Sequence, residues 1–139
     1  MRKRLVLVDS SVWIRFFRTR TPDPTCSLLE TLLQQKRVAT LWLIRLELLS
    51  GTSTPDAYAA LDQDLAALRQ LALTDELFRA AGQLRWQLAR QGVTVPLVDS
   101  VIAACAIVYD CLLLHDDQHF TAIARHAPLR IHPPALRIR

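Results

Sequence analysis

The chain has 139 residues, 51% of them hydrophobic and 22% charged, with a formal net charge of +4. That composition excludes a disordered or fibrous chain and predicts one globular domain, residues 1–139, large enough to bury a core. The basic balance suits an acidic partner such as nucleic acid without demanding one.

Residues 1–13 begin like a signal peptide, with basic residues and then an apolar run. The run at 5–8 is stopped by Asp9, short of the ~7–15 apolar residues that an export signal uses. No stretch approaches the ~18 apolar residues of a membrane span. The three cysteines, Cys26, Cys105 and Cys111, are odd in number and form no Cys-x-x-Cys pair. The expectation is a soluble protein of a reducing, cytoplasmic compartment.

Residues 5–8 (LVLV) read as a strand buried on both faces. SVWIRFFRT, 11–19, comes next as a short helix that Asp9 or Ser10 would cap. Pro22 and Pro24 mark a loop at 21–24. Leu28, Leu29, Leu32 and Leu33 then fall at helical spacing within 25–35. A second strand is expected at 38–40, and a helix at 42–50 that Gly51 ends. Another helix starts at Thr54-Pro55-Asp56 and runs to about Leu68. Residues 71–73 suggest a third strand, and Thr74 or Asp75 caps a long helix through Arg90. VTVPLVD is expected to be extended, because proline disfavours helix before it. A strongly apolar helix is expected at 99–109, a strand at 111–114, a short helix at 120–125 and a fifth strand at 129–131.

Short apolar strands alternating with helices imply a central parallel sheet of about five strands covered on both faces, a three-layer α/β/α architecture. Ligands of such sheets bind beyond the carboxyl ends of the strands. Four acids fall in that zone. Asp9 ends the first strand, Asp117 comes after the fourth, and Asp99 opens a helix after VTVPLV. Glu47 lies inside the apolar helix LWLIRLELL, where a carboxylate is costly unless something pairs with it. Taken singly, Asp9 and Asp99 also suit helix N-caps, Asp117 a loop and Glu47 a solvated helix face.

LVLVDSSVWIRFF resembles the opening of the PIN domain family, in which a strand delivers an Asp followed by small hydroxyl residues. LIRLELLSG resembles the family's second motif, a helical Glu with Gly shortly after. GVTVPLVDSVIAACAIVYDCLLLHDDQHFTAIA resembles its later segment, with an Asp before an Ile-Ala-Ala helix, an apolar strand, and a further Asp close to a Phe. The resemblance covers nearly the whole chain in order, and chain length and motif style are similar to VapC-type toxins of bacterial toxin–antitoxin pairs.

The resemblance implies a PIN-like fold and a magnesium-dependent endoribonuclease in which Asp9, Glu47, Asp99 and Asp117 are catalytic and hold Mg2+, with Mn2+ able to substitute. It implies Ser10 as a supporting hydroxyl with Ser11 beside it, an RNA substrate (transfer RNA or another structured RNA), a cognate antitoxin and a homodimer. A non-catalytic PIN-like RNA-binding or scaffold module is the alternative. The pattern is departed from at His115, where many relatives carry Thr or Ser, and Asp116 adjoins Asp117 as a rival for the fourth position.

Magnesium takes oxygen ligands, and crowded carboxylates raise one another's pKa until a cation relieves them. Arg15 and Arg18, one turn apart after Asp9, could rim such a site and meet RNA, or form a solvated face. His115 and His119 are four apart, but without a third ligand at a diagnostic spacing zinc is disfavoured. Trp13, Phe16 and Phe17 fall at helical spacing and suit a core or an oligomer face. With three glycines in the chain, no phosphate loop is present.

Overall fold

The computed structural model describes residues 3–133. In chain order the elements are β1 (Val6–Val8), α1 (Ser10–Arg18), α2 (Pro24–Gln34), β2 (Val38–Thr40), α3 (Trp42–Ser50), α4 (Pro55–Ala66), β3 (Arg69–Gln70), α5 (Asp75–Arg90), α6 (Leu97–Val108), β4 (Leu112–Leu114) and α7 (Gln118–Ala124). The strands form one parallel sheet in the order β3-β2-β1-β4.

Five of the seven helices among the described residues start where a short polar side chain offers a cap, α3 and α6 being the exceptions. Asp9 accepts from the Ser11 amide at 3.1 Å, and Asp23, Thr54, Thr74 and Asp117 do the same for α2, α4, α5 and α7. Pro24 and Pro55 occupy first-turn positions, where a missing N–H costs nothing.

The chain steps from β1 outward through β2 to β3 and then returns to the far side of β1 for β4. Because parallel crossovers are right-handed, that reversal places α5 and α6 on the face opposite α1 to α4. Val6, Leu7 and Val8 are wholly buried, as a strand covered on both faces must be. The apolar helix α6 packs against α5, burying Ile102, Ala103, Ala104 and Cys105.

The sheet has four strands where about five were expected. Residues 129–131 contribute only a parallel bridge, Leu113 to Ile131, with Leu113 N donating to Arg130 O at 2.9 Å and His132 N to Leu113 O at 2.8 Å. The third strand is Arg69–Gln70 instead of 71–73. Leu71 N makes the last bond, to Thr40 O at 2.9 Å. An edge strand tolerates exposed polar side chains, so its apolar flank misplaced it.

The VTVPLVD segment is shorter than expected, because α6 already begins at Leu97. Pro96 stands at the cap position without a side-chain bond, and Asp99 lies in the first turn, not at the cap. Proline restrains the residue before it and not the one after; Pro96 itself stays extended, with φ −57° and ψ 147°, and the helix begins at the next residue. Among the described residues no helix is long and apolar enough to cross a membrane.

Candidate metal centre

β1 and β4 are neighbours whose chains depart to opposite faces of the sheet, which makes their carboxyl ends a topological switch point. Asp9 leaves β1 there, and the turn 115–117 leaves β4 there. Asp9 N donates to Leu114 O at 2.9 Å, which ties the two strand ends together. α3 and the start of α6 bring Glu47 and Asp99 to the same end.

Ser10 Oγ donates to Glu47 Oε2 at 3.1 Å, linking α1 to α3. Ser11 Oγ donates to Asp9 Oδ2 at 2.6 Å and accepts from the Asp116 amide at 3.0 Å, linking the first acid to the turn after β4. Ser10, expected as the supporting hydroxyl, therefore holds Glu47, while its neighbour Ser11 holds Asp9.

The acids feel one another. Burial pushes the Asp99 carboxyl up to about 6, and the charges of Asp117 and Asp9 add to the rise against a smaller opposing effect of His119. Burial also raises Glu47, a bond from Ser10 resists the rise, and Asp9 adds to it. Desolvation and like charges together are what a cation would relieve.

Asp117 and Asp116 have different fates. Asp117 caps α7, accepting from His119 N at 2.9 Å, and faces Asp99 across His119. Asp116 is exposed and pairs with Arg15 at 3.1 Å. Arg15 also pairs with Asp23 at 2.8 Å, and these partners hold its guanidinium. It joins α1 to two loops. Arg18 instead lines a groove of about 540 Å³ with Ile14, Phe17, Leu48, Leu61 and Glu47, so this groove runs up to the acids. Trp13 is buried and stacks with Phe17.

His115 takes over a turn function that a hydroxyl could serve. Its Nδ1 accepts from the Asp117 amide at 3.1 Å and its ring meets Phe120 edge-on at 5.3 Å. An acceptor at residue i for the amide of i+2 is what Ser, Thr or Asp provides in tight turns. Burial holds its pKa down, which keeps the imidazole neutral and able to accept.

Spacing paired His119 with His115, but in the structure the neighbours of His119 are two acids instead. Its Nδ1 lies 3.1 Å from Asp99 Oδ2 and 3.0 Å from Asp117 Oδ1. Those are ion-pair separations, yet neither has hydrogen-bond alignment, and the buried nitrogen is left without a hydrogen-bond partner. Ligand atoms of Asp99, Asp117 and His119 all lie within 4.8 Å of one another. Beside its spacing from His115, the place of His119 two residues beyond Asp117 was the local sign of this in the sequence. A cluster of carboxylates with an orphaned nitrogen fits a divalent cation.

A family model described as PIN domain matches residues 6–126. The chain is 31% identical to Ribonuclease VapC11 of Mycobacterium tuberculosis over 124 residues, covering 87% of this chain and 92% of the relative. It superposes with a TM-score of 0.74 on VapBC2 from Rickettsia felis bound to a DNA fragment from their promoter, at 19% identity, covering 92% of this chain and 97% of the other. A further similar structure is VapBC-5 from Mycobacterium tuberculosis, a member of the VapBC family of toxin–antitoxin systems, with a TM-score of 0.66, 27% identity and coverage of 93% and 98%.

Proposed function

The chain belongs to the PIN domain family, and on that premise we propose that it is the ribonuclease toxin of a toxin–antitoxin pair, cleaving RNA at the acidic pocket with a divalent cation. The observation that carries this reading is the acidic end of the β1/β4 switch point: Asp99 and Asp117, with His119, offer ligand atoms within 4.8 Å of one another, and the charge of Asp9 acts on both Asp99 and Glu47, whose carboxyls are raised. Asp9, Glu47, Asp99 and Asp117 would hold Mg2+, with Mn2+ able to substitute. Such an ion, when bound, makes a coordinated water acidic enough to serve as a nucleophile and offsets charge at the scissile phosphate.

The chain's own groups prepare that site. Ser10 and Ser11 orient Glu47 and Asp9, and the Asp9 and Leu114 backbones lock the two strand ends. The Arg15 pairs with Asp23 and Asp116 brace the turn that carries Asp117. Arg18, free of such partners among the described residues, supplies positive charge beside Glu47 for an RNA backbone. Transfer RNA or another structured RNA is the proposed substrate.

The groove between α1, α3 and α4 supports an antitoxin partner, because an apolar segment lying in it would reach Glu47 and cover the acids. Exposed apolar side chains such as Trp42, Leu46, Phe78 and Trp86 support a homodimer.

The test is cleavage of a transfer RNA pool by the purified protein in MgCl2, against EDTA and against Asp9→Asn. Cleavage only by the intact protein with metal is expected. Cleavage that survives both controls would overturn the reading, and a folded protein that binds RNA without cutting it would favour a binding module.

A further inference from the structure

We propose that His119 is a nitrogen ligand of the metal site, so that the site takes Mn2+ in preference to Mg2+. The inference rests on the metal-dependent reading above and names the donor set of that same site.

Two elements deliver the imidazole edge to the acids. Asp99 stands in the first turn of α6, and Asp117 caps α7 by accepting from the His119 amide. That cap fixes the backbone from which His119 projects. Its Nδ1 then sits between one oxygen of each acid, at 3.1 and 3.0 Å. The nitrogen is buried although the ring is 41% exposed, so the ring opens to solvent and Nδ1 points inward.

Within the protein Nδ1 has no aligned hydrogen-bond partner, although two carboxylate oxygens lie at ion-pair distance. A proton on it would have two carboxylate oxygens in range and alignment with neither. A bare lone pair would face two anions, an arrangement that repels. A cation among the three ligand atoms, which lie within 4.8 Å of one another, removes both difficulties. The other histidine of the pair is committed elsewhere, since His115 Nδ1 accepts from the Asp117 amide.

The donor set decides the preference. Magnesium keeps several waters, demands near-octahedral oxygen donors and dehydrates reluctantly. An imidazole nitrogen favours first-row transition ions instead, with affinity increasing from Mn2+ onward along the series. A rival role is a purely electrostatic one, in which His119 pairs with the acids and must be displaced by any ion. Removing it would then strengthen Mg2+ and Mn2+ binding alike.

The experiment titrates metal-free, full-length protein with MgCl2 and, separately, MnCl2 by calorimetry, using the intact chain, His119→Ala and His119→Asn. Mn2+ is expected to bind about tenfold more tightly than Mg2+. His119→Ala is expected to lose about tenfold for Mn2+ and much less for Mg2+, narrowing that ratio. Pulsed EPR of the Mn2+ complex should show a directly coordinated nitrogen in the intact chain and none in His119→Ala. A Mn2+ complex without nitrogen coupling, or a ratio untouched by either variant, overturns the histidine assignment alone. Failure of both ions to bind the intact chain overturns the metal reading as well. Should a variant fail to fold, the EPR of the intact chain decides by itself.

Discussion

Helix α3 carries a buried charge, Arg45, and an exposed one, Glu47, two residues apart and on opposite sides, and the protein treats them in opposite ways. Arg45 points toward α4 and β3, where it donates to Asp62 at 3.1 Å and to Gln70 at 3.0 Å, with its guanidinium 3.7 Å from the Trp42 ring centroid. Glu47 points toward α1, receives a single hydroxyl bond from Ser10, and lies in the field of Asp9. The arginine has an acid, an amide and an aromatic face, although its Nε stays unpaired. The glutamate has more negative charge as its neighbour. A charge that serves the fold is given partners from the chain, whereas the acids at the switch point are left short of positive charge, a deficit that a cation would fill.

The sharpest way to break this contrast is to neutralise one charge of each kind and compare rate with stability. Asp99→Asn is expected to lower RNA cleavage at least about a hundredfold, roughly 2.7 kcal/mol of barrier, while metal-free protein becomes more stable. Single-turnover cleavage and urea melts of the same preparations measure both; a destabilised, fully active Asp99→Asn would invert the argument.

Arg45→Ala should do the reverse. Removing a buried cation from a pair strands its partners, at about 3–5 kcal/mol in a fully buried setting. Because Asp62 is 45% exposed, water recovers part of that and about 2 kcal/mol is expected. Cleavage per folded molecule should be nearly unchanged.

The pH dependence of the metal-free protein sharpens the comparison further. The Asp99 carboxyl is raised in the folded state from 3.8 to about 6, so folding favours its protonated form. The stability it contributes is complete below about pH 4 and is lost as pH rises through 6. In EDTA, Asp99→Asn should therefore gain on the intact chain between pH 4 and pH 6.5 and level off above. A gap of about 1–2 kcal/mol is expected, since the side chain keeps 16% exposure. Saturating metal at pH 7.5 should close or reverse it. A gap that does not change with pH would remove the electrostatic account of Asp99.

The smallest effect belongs to Arg15, which pairs with Asp23 and Asp116 near the surface. Arg15→Ala should cost about 0.5–1 kcal/mol, less in high salt, as exposed pairs do. A loss comparable to that of Arg45→Ala would show that the brace on the turn matters more than its exposure suggests.

Much of the architecture could be read in order along the chain. Buried parallel strands need apolar runs, and the caps Asp9, Thr54 and Thr74 mark helix starts with short polar side chains that satisfy the first free amides. The end of α3 at Ser50 and that of α5 at Arg90 are marked by Gly51 and Gly92. Where the reading slipped, the local signal was absent. β3 is a polar edge strand, 129–131 makes one bridge, and α6 starts at Leu97, directly after an extended Pro96 whose restraint falls on the residue before it.

The sequence by itself determined which acids come after the strands, since placing a residue just after a strand is a local matter. It left open their convergence, the separation of Asp117 from Asp116, the roles of Ser11 and His115, and the place of His119. Those were decided by crossover handedness and by how the starts of α6 and α7 come together beyond the ends of β1 and β4. Such relations join residues far apart along the chain, and no periodicity of a single chain encodes the distance between them.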